Sequence, residues 1–164
     1  MSQPDVVDVV ALARSFGSIE GKLPLAGLGR LEDVLIDRSG TLTYLLEGLV
    51  GEKGESLLRL KVGGSVVLQC QRCLEPLIHA VVIDTELELV APEADLTQDE
   101  LENDSRDYLP VTGPIKIATL VEDEIILALP SAPRHDDCGK SSGCGSAEVV
   151  TAFAVLAGLK RRIH

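Results

Sequence analysis

The sequence predicts an α+β fold in which an antiparallel β-meander, or a partial barrel, packs against a helix from the C-terminal half of the chain. Between residues 41 and 90, apolar and polar side chains alternate with period two, which is typical of strands that bury one face. After Pro114 the apolar spacing becomes helical. The 164 residues suffice for one domain, and because aromatic residues make up only 2% of them, the core is predicted to be aliphatic.

The first ninety residues divide into two predicted regions. Residues 1–20 form an N-terminal segment, in which residues 5–14 are expected to make a short helix despite their β-branched side chains. Residues 21–90 are predicted to be mainly β. They begin with "GKLPLAGLGRLED", where glycine and proline indicate an irregular or edge segment.

About four strands are predicted in the β region. The segment "TLTYLLEGLV" is largely apolar on both faces, whereas "SLLRLKV" places Leu58, Leu60 and Val62 on one face. Gly63-Gly64 predicts a two-residue hairpin turn before the next strand, "SVVLQC". The last strand lies within "HAVVIDTELELV". The pair Cys70 and Cys73 falls between these last two strands and is therefore expected at a hairpin tip.

The second half of the chain is predicted to continue the same single domain, residues 1–164, in four segments. They are an acidic loop (91–113), a helix (114–130), a cysteine-containing loop (131–146) and a C-terminal helix (147–164). The apolar face of the first helix is expected to cover the sheet with Ile117, Leu120, Val121, Ile125 and Ala128. Its consecutive acidic residues 122–124 point to different sides of a helix, which favours a solvated stripe over a carboxylate cluster.

The formal net charge of −11 disfavours any function that requires wide contact with phosphates. Ten residues in 84–107 are Asp or Glu, and only Arg106 is basic there. The low aromatic content also disfavours the stacking of nucleic-acid bases. Direct phosphate contact is therefore expected from a small patch at most, and the candidate residues are Arg72, Lys160, Arg161 and Arg162.

The four cysteines indicate a metal site or thiol chemistry. No secretory signal is visible at the start of the chain, and the longest apolar run, 149–159, is too short to span a bilayer, so a cytoplasmic location is predicted. Thiols stay reduced in that compartment. Cys70-x-x-Cys73 has a spacing with which a tight turn can hold zinc. The candidate ligands of a Zn²⁺ ion are Cys70, Cys73, Cys138 and Cys144, with His135 as an alternative.

Three interpretations of these cysteines remain open. The first is a structural zinc site. The second is a metal site degraded in this sequence, or thiols with only a structural role, because ordering the flexible sequence "GKSSG" between Cys138 and Cys144 around an ion would cost entropy. The third is a redox dithiol at Cys70 and Cys73, although this pair does not open a helix in a βαβ setting.

No set of side chains in the sequence predicts an active site. His79 and His164 have no obvious Ser, Cys or Asp partner at triad spacing. The segment "GLGRLED" lacks the spacing of the glycine-rich phosphate-binding motifs. The protein is therefore predicted not to be an enzyme.

Three segments together resemble the large ribosomal RNA subunit accumulation protein (YceD) family over roughly residues 20 to 160. They are "CQRCLEPL", "LVEDEIILALPSAPRHDDC" and "FAVLAGLK", in that order. The resemblance implies a small bacterial cytoplasmic protein linked to the synthesis, processing or stability of 23S rRNA. It places the following residues on recurring motif positions: Cys70, Arg72, Cys73, Glu122, Glu124, Pro130, Pro133, His135 and Cys138.

The main hypothesis from this resemblance is a non-enzymatic factor in assembly of the large ribosomal subunit. Its expected partners are the precursor subunit, a basic ribosomal protein or 23S rRNA, and neither a membrane nor DNA. Residues 84–107 would contact a basic ribosomal protein, because opposite charges speed up encounter. Two alternatives are a thiol-dependent redox protein using Cys70 and Cys73, and a protein-binding adaptor without a ribosomal role.

Overall fold

A five-stranded sheet dominates the computed structural model, which describes residues 5–92 and 107–136. The strands are β1 (Val6–Val7), β2 (Ser18–Pro24), β3 (Thr41–Val50), β4 (Ser56–Gln69), β5 (Pro76–Val90), β6 (Asp107–Pro110) and β7 (Ile115–Lys116), and the helices are α1 (Val9–Arg14) and α2 (Ile117–Ala128). Strands β2 to β5 form an antiparallel meander, and β6 joins β5 in parallel. The predicted α+β meander is confirmed, and the described strands form an open sheet and not a closed barrel.

The period-two pattern of β4 separates the core from a charged outer face. Leu58, Leu60 and Val62 are buried, as predicted. On the outer face, Arg59 donates hydrogen bonds of 2.7 and 2.8 Å to the carboxylate of Asp84 on β5. These hydrogen bonds hold the pKa of Asp84 below its ordinary value. Exposed pairs of this kind add little stability each, so they identify the solvated side of the sheet.

The predicted hairpin turn at Gly63-Gly64 is wrong, because both glycines lie inside the continuous strand β4. They pair with Val82 and Val81 of β5. Gly64 has φ +154°, and a Cβ at this position would lie 2.5 Å from Cδ2 of Leu42. The backbone conformation and the packing therefore both require glycine here. The actual connection between β4 and β5 is the turn at residues 70–75.

Other boundaries also differ from the prediction. The segment expected to be irregular begins as strand β2 and continues as two short 3-10 turns, Leu25–Gly27 and Gly29–Leu31. Strand β6 lies within the predicted acidic loop 91–113, where Leu109 pairs with Leu89 and packs against the core. The C-terminal helix predicted at 147–164 and most of the predicted loop 131–146 lie outside the described residues. The single-domain organisation stays a prediction.

Helix α2 packs into the core as predicted. Ile117, Leu120, Val121 and Ile125 are all buried. Ala128 is exposed, contrary to prediction, because α2 ends there and Leu129, in an extended conformation, packs against the core instead. Neither helix among the described residues has the length and apolar character needed to cross a membrane.

The burial of Glu122 contradicts the predicted solvated stripe. Only 7% of its surface is exposed, and its Oε1 accepts a 3.0 Å hydrogen bond from the backbone N–H of Arg30. The neighbouring Asp123 forms an ion pair with the Arg30 side chain. These contacts tie α2 to the 3-10 turn Gly29–Leu31. Helical spacing could have predicted the burial of Glu122. Position 122 lies one turn from Ala118 and three residues from Ile125, so it borders the apolar face.

Candidate metal site

The turn at residues 70–75 holds Cys70 and Cys73 in a compact arrangement. The Cys70 N–H donates to the Glu75 carbonyl at 3.0 Å, and the Leu74 N–H donates to the Cys70 carbonyl at 2.9 Å. Leu74 has φ +63°, which non-glycine residues rarely adopt. Cys70 is buried, and Cys73 is exposed. The turn therefore directs one thiol inward and leaves the other at the surface.

His135 joins the two cysteines from the segment that follows α2. The Gln71 N–H donates to the Pro133 carbonyl at 2.8 Å and fixes this segment against the turn. The Nδ1 atom of His135 then lies 3.4 Å from Sγ of Cys73. The ligand atoms of Cys70, Cys73 and His135 all lie within 4.8 Å of one another. Side chains more than sixty positions apart thus form one cluster.

The orientation of the His135 ring suits a metal ligand. Its Nε2 atom is 3.2 Å from the Pro76 carbonyl oxygen. Because a carbonyl only accepts hydrogen bonds, Nε2 carries a hydrogen, and in the neutral ring Nδ1 is left with a free lone pair toward the thiols. Histidines that bind metals usually donate their other N–H to a carbonyl or carboxylate in this way.

The donor set fits zinc. Two thiolates and an imidazole are ligands that Zn²⁺ prefers, with Zn–S distances of about 2.3 Å and Zn–N distances of about 2.0 Å. Tetrahedral coordination at those distances separates neighbouring ligand atoms by roughly 3.5 Å. The 3.4 Å between Cys73 Sγ and His135 Nδ1 is close to that separation.

The backbone of the turn also favours the thiolate form of Cys70. The pKa of Cys70 is lowered to about 5, chiefly because the Cys73 backbone N–H donates to its sulfur, with a further contribution from the backbone N–H of Arg72. The pKa of His135 is raised, chiefly by its hydrogen bond with Cys70 and also by the Pro76 carbonyl. Because zinc binds thiolates, a cysteine that is already ionised at neutral pH is prepared for it.

A comparison with protein families identifies the chain's relatives. A family model described as "Large ribosomal RNA subunit accumulation protein YceD" matches residues 58–160, more than half of the chain. The chain belongs to this family. The match extends from β4 through α2 and contains the four cysteines and His135. No solved structure matches the chain.

Only part of the predicted ligand set of this YceD-family chain falls on described residues. The structure brings together Cys70, Cys73 and His135, which the sequence offered only as an alternative ligand. Cys138 and Cys144 lie outside the described residues, as do Lys160, Arg161 and Arg162. Arg72 is exposed in the turn, as a contact residue would be. Metal binding and phosphate contact both stay predictions.

An acidic depression lies at the end of β4 that is farther from the turn at residues 70–75. This depression was not predicted from the sequence. Its volume is about 340 Å³. One basic side chain, Lys53, lines it together with five carboxylates: Glu52, Glu55, Glu86, Glu88 and Asp107. The sequence showed the acidic run from residue 84, but only the fold brings the β3–β4 turn beside it.

The partly buried position of Glu124 on α2 predicts how the stability of the fold depends on pH. Burial raises its pKa above the ordinary value of 4.5, and the nearby Asp107 and Asp123 raise it further. Its charged form therefore opposes folding at pH 7, and this penalty disappears below the unfolded pKa. Glu124→Gln is expected to raise the urea midpoint at pH 7 and to leave it unchanged near pH 3.5. An equal gain at both pH values would show an effect of packing and not of charge; Glu20→Gln on exposed β2 is the control.

Proposed function

We propose that this protein is a non-enzymatic factor in the synthesis, processing or stability of 23S rRNA, and that it acts during assembly of the large ribosomal subunit. The match to the YceD family over residues 58–160 carries this proposal, because the family is named for accumulation of large-subunit ribosomal RNA. In this role the protein binds a ribosomal protein, or a joint surface of rRNA and protein, on the precursor particle.

The charge of the described surface supports a basic protein as the direct partner. The acidic depression joins carboxylates from β5 and β6 with those of the β3–β4 turn. Ribosomal proteins that must neutralise rRNA are basic, and an acidic surface attracts them before they reach the RNA. Attraction between opposite charges accelerates association and weakens as salt screens it. The complex is thus expected to be sensitive to salt.

The turn at residues 70–75 has a separate part in the proposal. A Zn²⁺ ion held by Cys70, Cys73 and His135 would join the β4–β5 connection to the segment after α2. The ion would supply cross-linking and not catalysis, because a structural site stabilises the fold directly. Arg72 is then presented on a rigid turn, where its side chain is able to contact phosphate.

Gradient sedimentation at low salt tests the ribosomal role. We expect the protein to migrate with immature large-subunit particles, identified by precursor 23S rRNA, and to leave them at high salt. Depletion of the protein is expected to lower mature 23S rRNA relative to the small-subunit rRNA. Unchanged 23S rRNA after depletion, together with protein only at the top of the gradient, would overturn the proposal. Recovery of a non-ribosomal partner with a tagged copy would then favour the adaptor alternative.

Direct phosphate contact is tested by replacing Arg72, Lys160, Arg161 and Arg162 with Ala together. We expect the fold to persist and affinity for 23S rRNA fragments to fall. The slope of log affinity against log salt should decrease by roughly one for each phosphate that is no longer neutralised. A matched variant removes four exposed charges elsewhere: Arg14, Lys53, Lys116 and Arg134. If the two variants bind 23S rRNA fragments with equal affinity, then Arg72, Lys160, Arg161 and Arg162 are not the residues that contact phosphate.

One observation favours thiol chemistry as a second candidate function. The pKa of Cys70 is lowered to about 5, as in reactive cysteines, and His135 lies beside it. Cys70 is nevertheless fully buried, whereas a nucleophile must be reached by its substrate. We expect iodoacetamide to modify Cys73 and to leave Cys70 largely unmodified in metal-free protein at pH 7. Rapid modification of Cys70, with Cys73→Ser as the background, would support the redox function instead.

A further inference from the structure

Strand β5 has an edge that the described strands cover only at one end. On one side, β5 pairs with β4 from Pro76 to Glu88. On the other side it pairs with β6, and that pairing begins only at Leu87. Among residues 5–92 and 107–136, no strand pairs with the part of this edge that precedes Leu87. The backbone of that part is therefore in the position of an edge strand.

Two contacts show which backbone groups of β5 point to this edge. The Val90 carbonyl accepts a 2.9 Å hydrogen bond from the Val111 N–H, directly after β6. The Pro76 carbonyl, at the other end of β5, accepts from Nε2 of His135 at 3.2 Å. Along an antiparallel pair with an uninterrupted register, the backbone groups of successive residues alternate between the two sides of the strand. The N–H and C=O groups of the even-numbered residues in 78–86 therefore point away from β4, to the edge.

The edge of β5 lacks the features that usually prevent a sheet from pairing with another chain. Lysine, proline and β-bulges commonly protect exposed edges. The opposite edge of the sheet, β2, carries Lys22 and Pro24. Residues 78–83 of β5, "IHAVVI", contain neither lysine nor proline, and their register with β4 has no bulge. Such an edge is a template for a further strand.

A cavity of about 140 Å³ lies between this edge and the end of α2. Residues 79–82 line it from β5, and Ile125, Ala128 and Leu129 line it from the other side. Successive strand residues point to opposite faces of a sheet, so a cavity that touches four of them in a row opens at the edge. A volume of this size holds one aliphatic or small aromatic side chain. A segment paired with β5 would place such a side chain between the strand and the helix.

The charges beside the edge indicate which kind of segment fits. Asp84 and Glu86 are exposed on the outer face of β5, and Glu86 also lines the acidic depression, so the edge leads directly into it. Lysine or arginine on a neighbouring strand would form favourable cross-strand pairs with these carboxylates. A second copy of this chain fits less well, because each copy has a formal net charge of −11 and like charges repel.

We propose that the edge of β5 from Ile78 to Glu86 binds an extended segment of a basic protein as an additional strand. Backbone hydrogen bonds of the even-numbered residues hold the segment, and one of its apolar side chains fills the cavity beside α2. Its basic side chains face Asp84 and Glu86. The inference deepens the proposed function, on which it rests for the source of the basic segment, because it gives the bound part of the partner a defined conformation.

Calorimetric titration of the full chain with a synthetic peptide tests this contact. The probe is a short capped peptide that alternates lysine and valine. Two isomers carry the same number of N-methyl groups, on the lysine amides in one and on the valine amides in the other. Only alternate amides of a paired strand point to its neighbour, so one isomer should bind roughly tenfold or more weakly than the other. Equal affinity of the isomers would show attraction by charge alone and would overturn the proposal, as would failure of the unmethylated peptide to bind.

Filling the cavity gives a second test. Ala128 lines the cavity at the exposed end of α2, so Ala128→Leu should weaken binding of the unmethylated peptide roughly tenfold. Ala11→Leu is the matched control, since Ala11 is an exposed alanine of α1, and it should leave the affinity unchanged. Equal affinity of the two variants would contradict the proposal. A free chain that sediments as a dimer, and that the peptide converts to monomers, would show that a second copy occupies the edge and would also overturn it.

The peptide experiments and the sedimentation of immature particles can fail separately. Isomers of equal affinity, with the protein still migrating with precursor 23S rRNA, would overturn the edge contact and leave the ribosomal role. Unequal isomers, with 23S rRNA unchanged after depletion and protein only at the top of the gradient, would do the reverse.

Discussion

One Zn²⁺ ion per chain is expected to bind the reduced protein, and its removal by a chelator should lower the thermal unfolding midpoint by roughly 10 °C. The reason is mass action: a ligand present at a thousand times its dissociation constant stabilises the folded state by about 4 kcal/mol. Each kcal/mol corresponds to about 2–4 °C in a chain of this size. The cluster of Cys70, Cys73 and His135 supplies three preassembled ligands, so little reorganisation opposes binding. Calorimetry with and without the metal measures the shift.

Single substitutions show which side chains hold the ion. Cys70→Ser, Cys73→Ser and His135→Ala should each weaken zinc binding at least tenfold in competition with a chromogenic chelator. His79→Ala is the control, because His79 lies in β5 and does not belong to the cluster. Wild-type affinity in His135→Ala would remove this residue from the ligand set. Failure of the fully reduced chain to bind any zinc would end the metal hypothesis.

The sequence predicted most of the sheet because period two directly reports which face is buried. The alternation of Leu58, Leu60 and Val62 identified the core face of β4 correctly. The same logic failed at Gly63-Gly64, where a glycine pair resembles a turn. Glycine is needed here within a strand and not in a turn, because the side chain of Leu42 fills the space beside Gly64. A contact between residues that far apart is not visible in local pattern.

The candidate site shows the same limit. The spacing of Cys70 and Cys73 predicted a pair at a hairpin tip, since three residues apart is a property of the local chain. Sequence spacing could not show that His135 is the residue that joins Cys70 and Cys73. It depends on the hydrogen bond between Gln71 and the Pro133 carbonyl, which brings two distant segments together. Likewise, the acidic depression needs the β3–β4 turn to lie beside β5 and β6.

Gly48→Ala is expected to destabilise the protein by about 3 kcal/mol or more, at the upper end for overpacking. A Cβ on Gly48 would lie 2.2 Å from the Leu12 carbonyl oxygen and 2.6 Å from Cα of Ala13. Both atoms belong to the backbone of α1, so no side-chain rotation can relieve the clash. The N–H of Gly48 also donates to the Gly17 carbonyl at 2.8 Å, which fixes the chain after α1 at this distance. Urea unfolding measures the decrease in stability.

Gly63→Ala is the matched control for this substitution. Its Cβ would meet only Oγ1 of Thr43, at 3.4 Å, on the outer face of the same sheet. We expect it to change stability by less than about 1 kcal/mol, and the change can be favourable because alanine restricts the unfolded chain. Equal destabilisation in both variants would mean that the sheet tolerates no side chain at either glycine position and that contact with α1 is not the cause.

Because Gly48 does not belong to the zinc cluster, Gly48→Ala should retain wild-type zinc affinity while folded. Lower stability with unchanged zinc affinity in Gly48→Ala would show that a less stable fold does not by itself weaken zinc binding. The cysteine and histidine variants alone cannot show this.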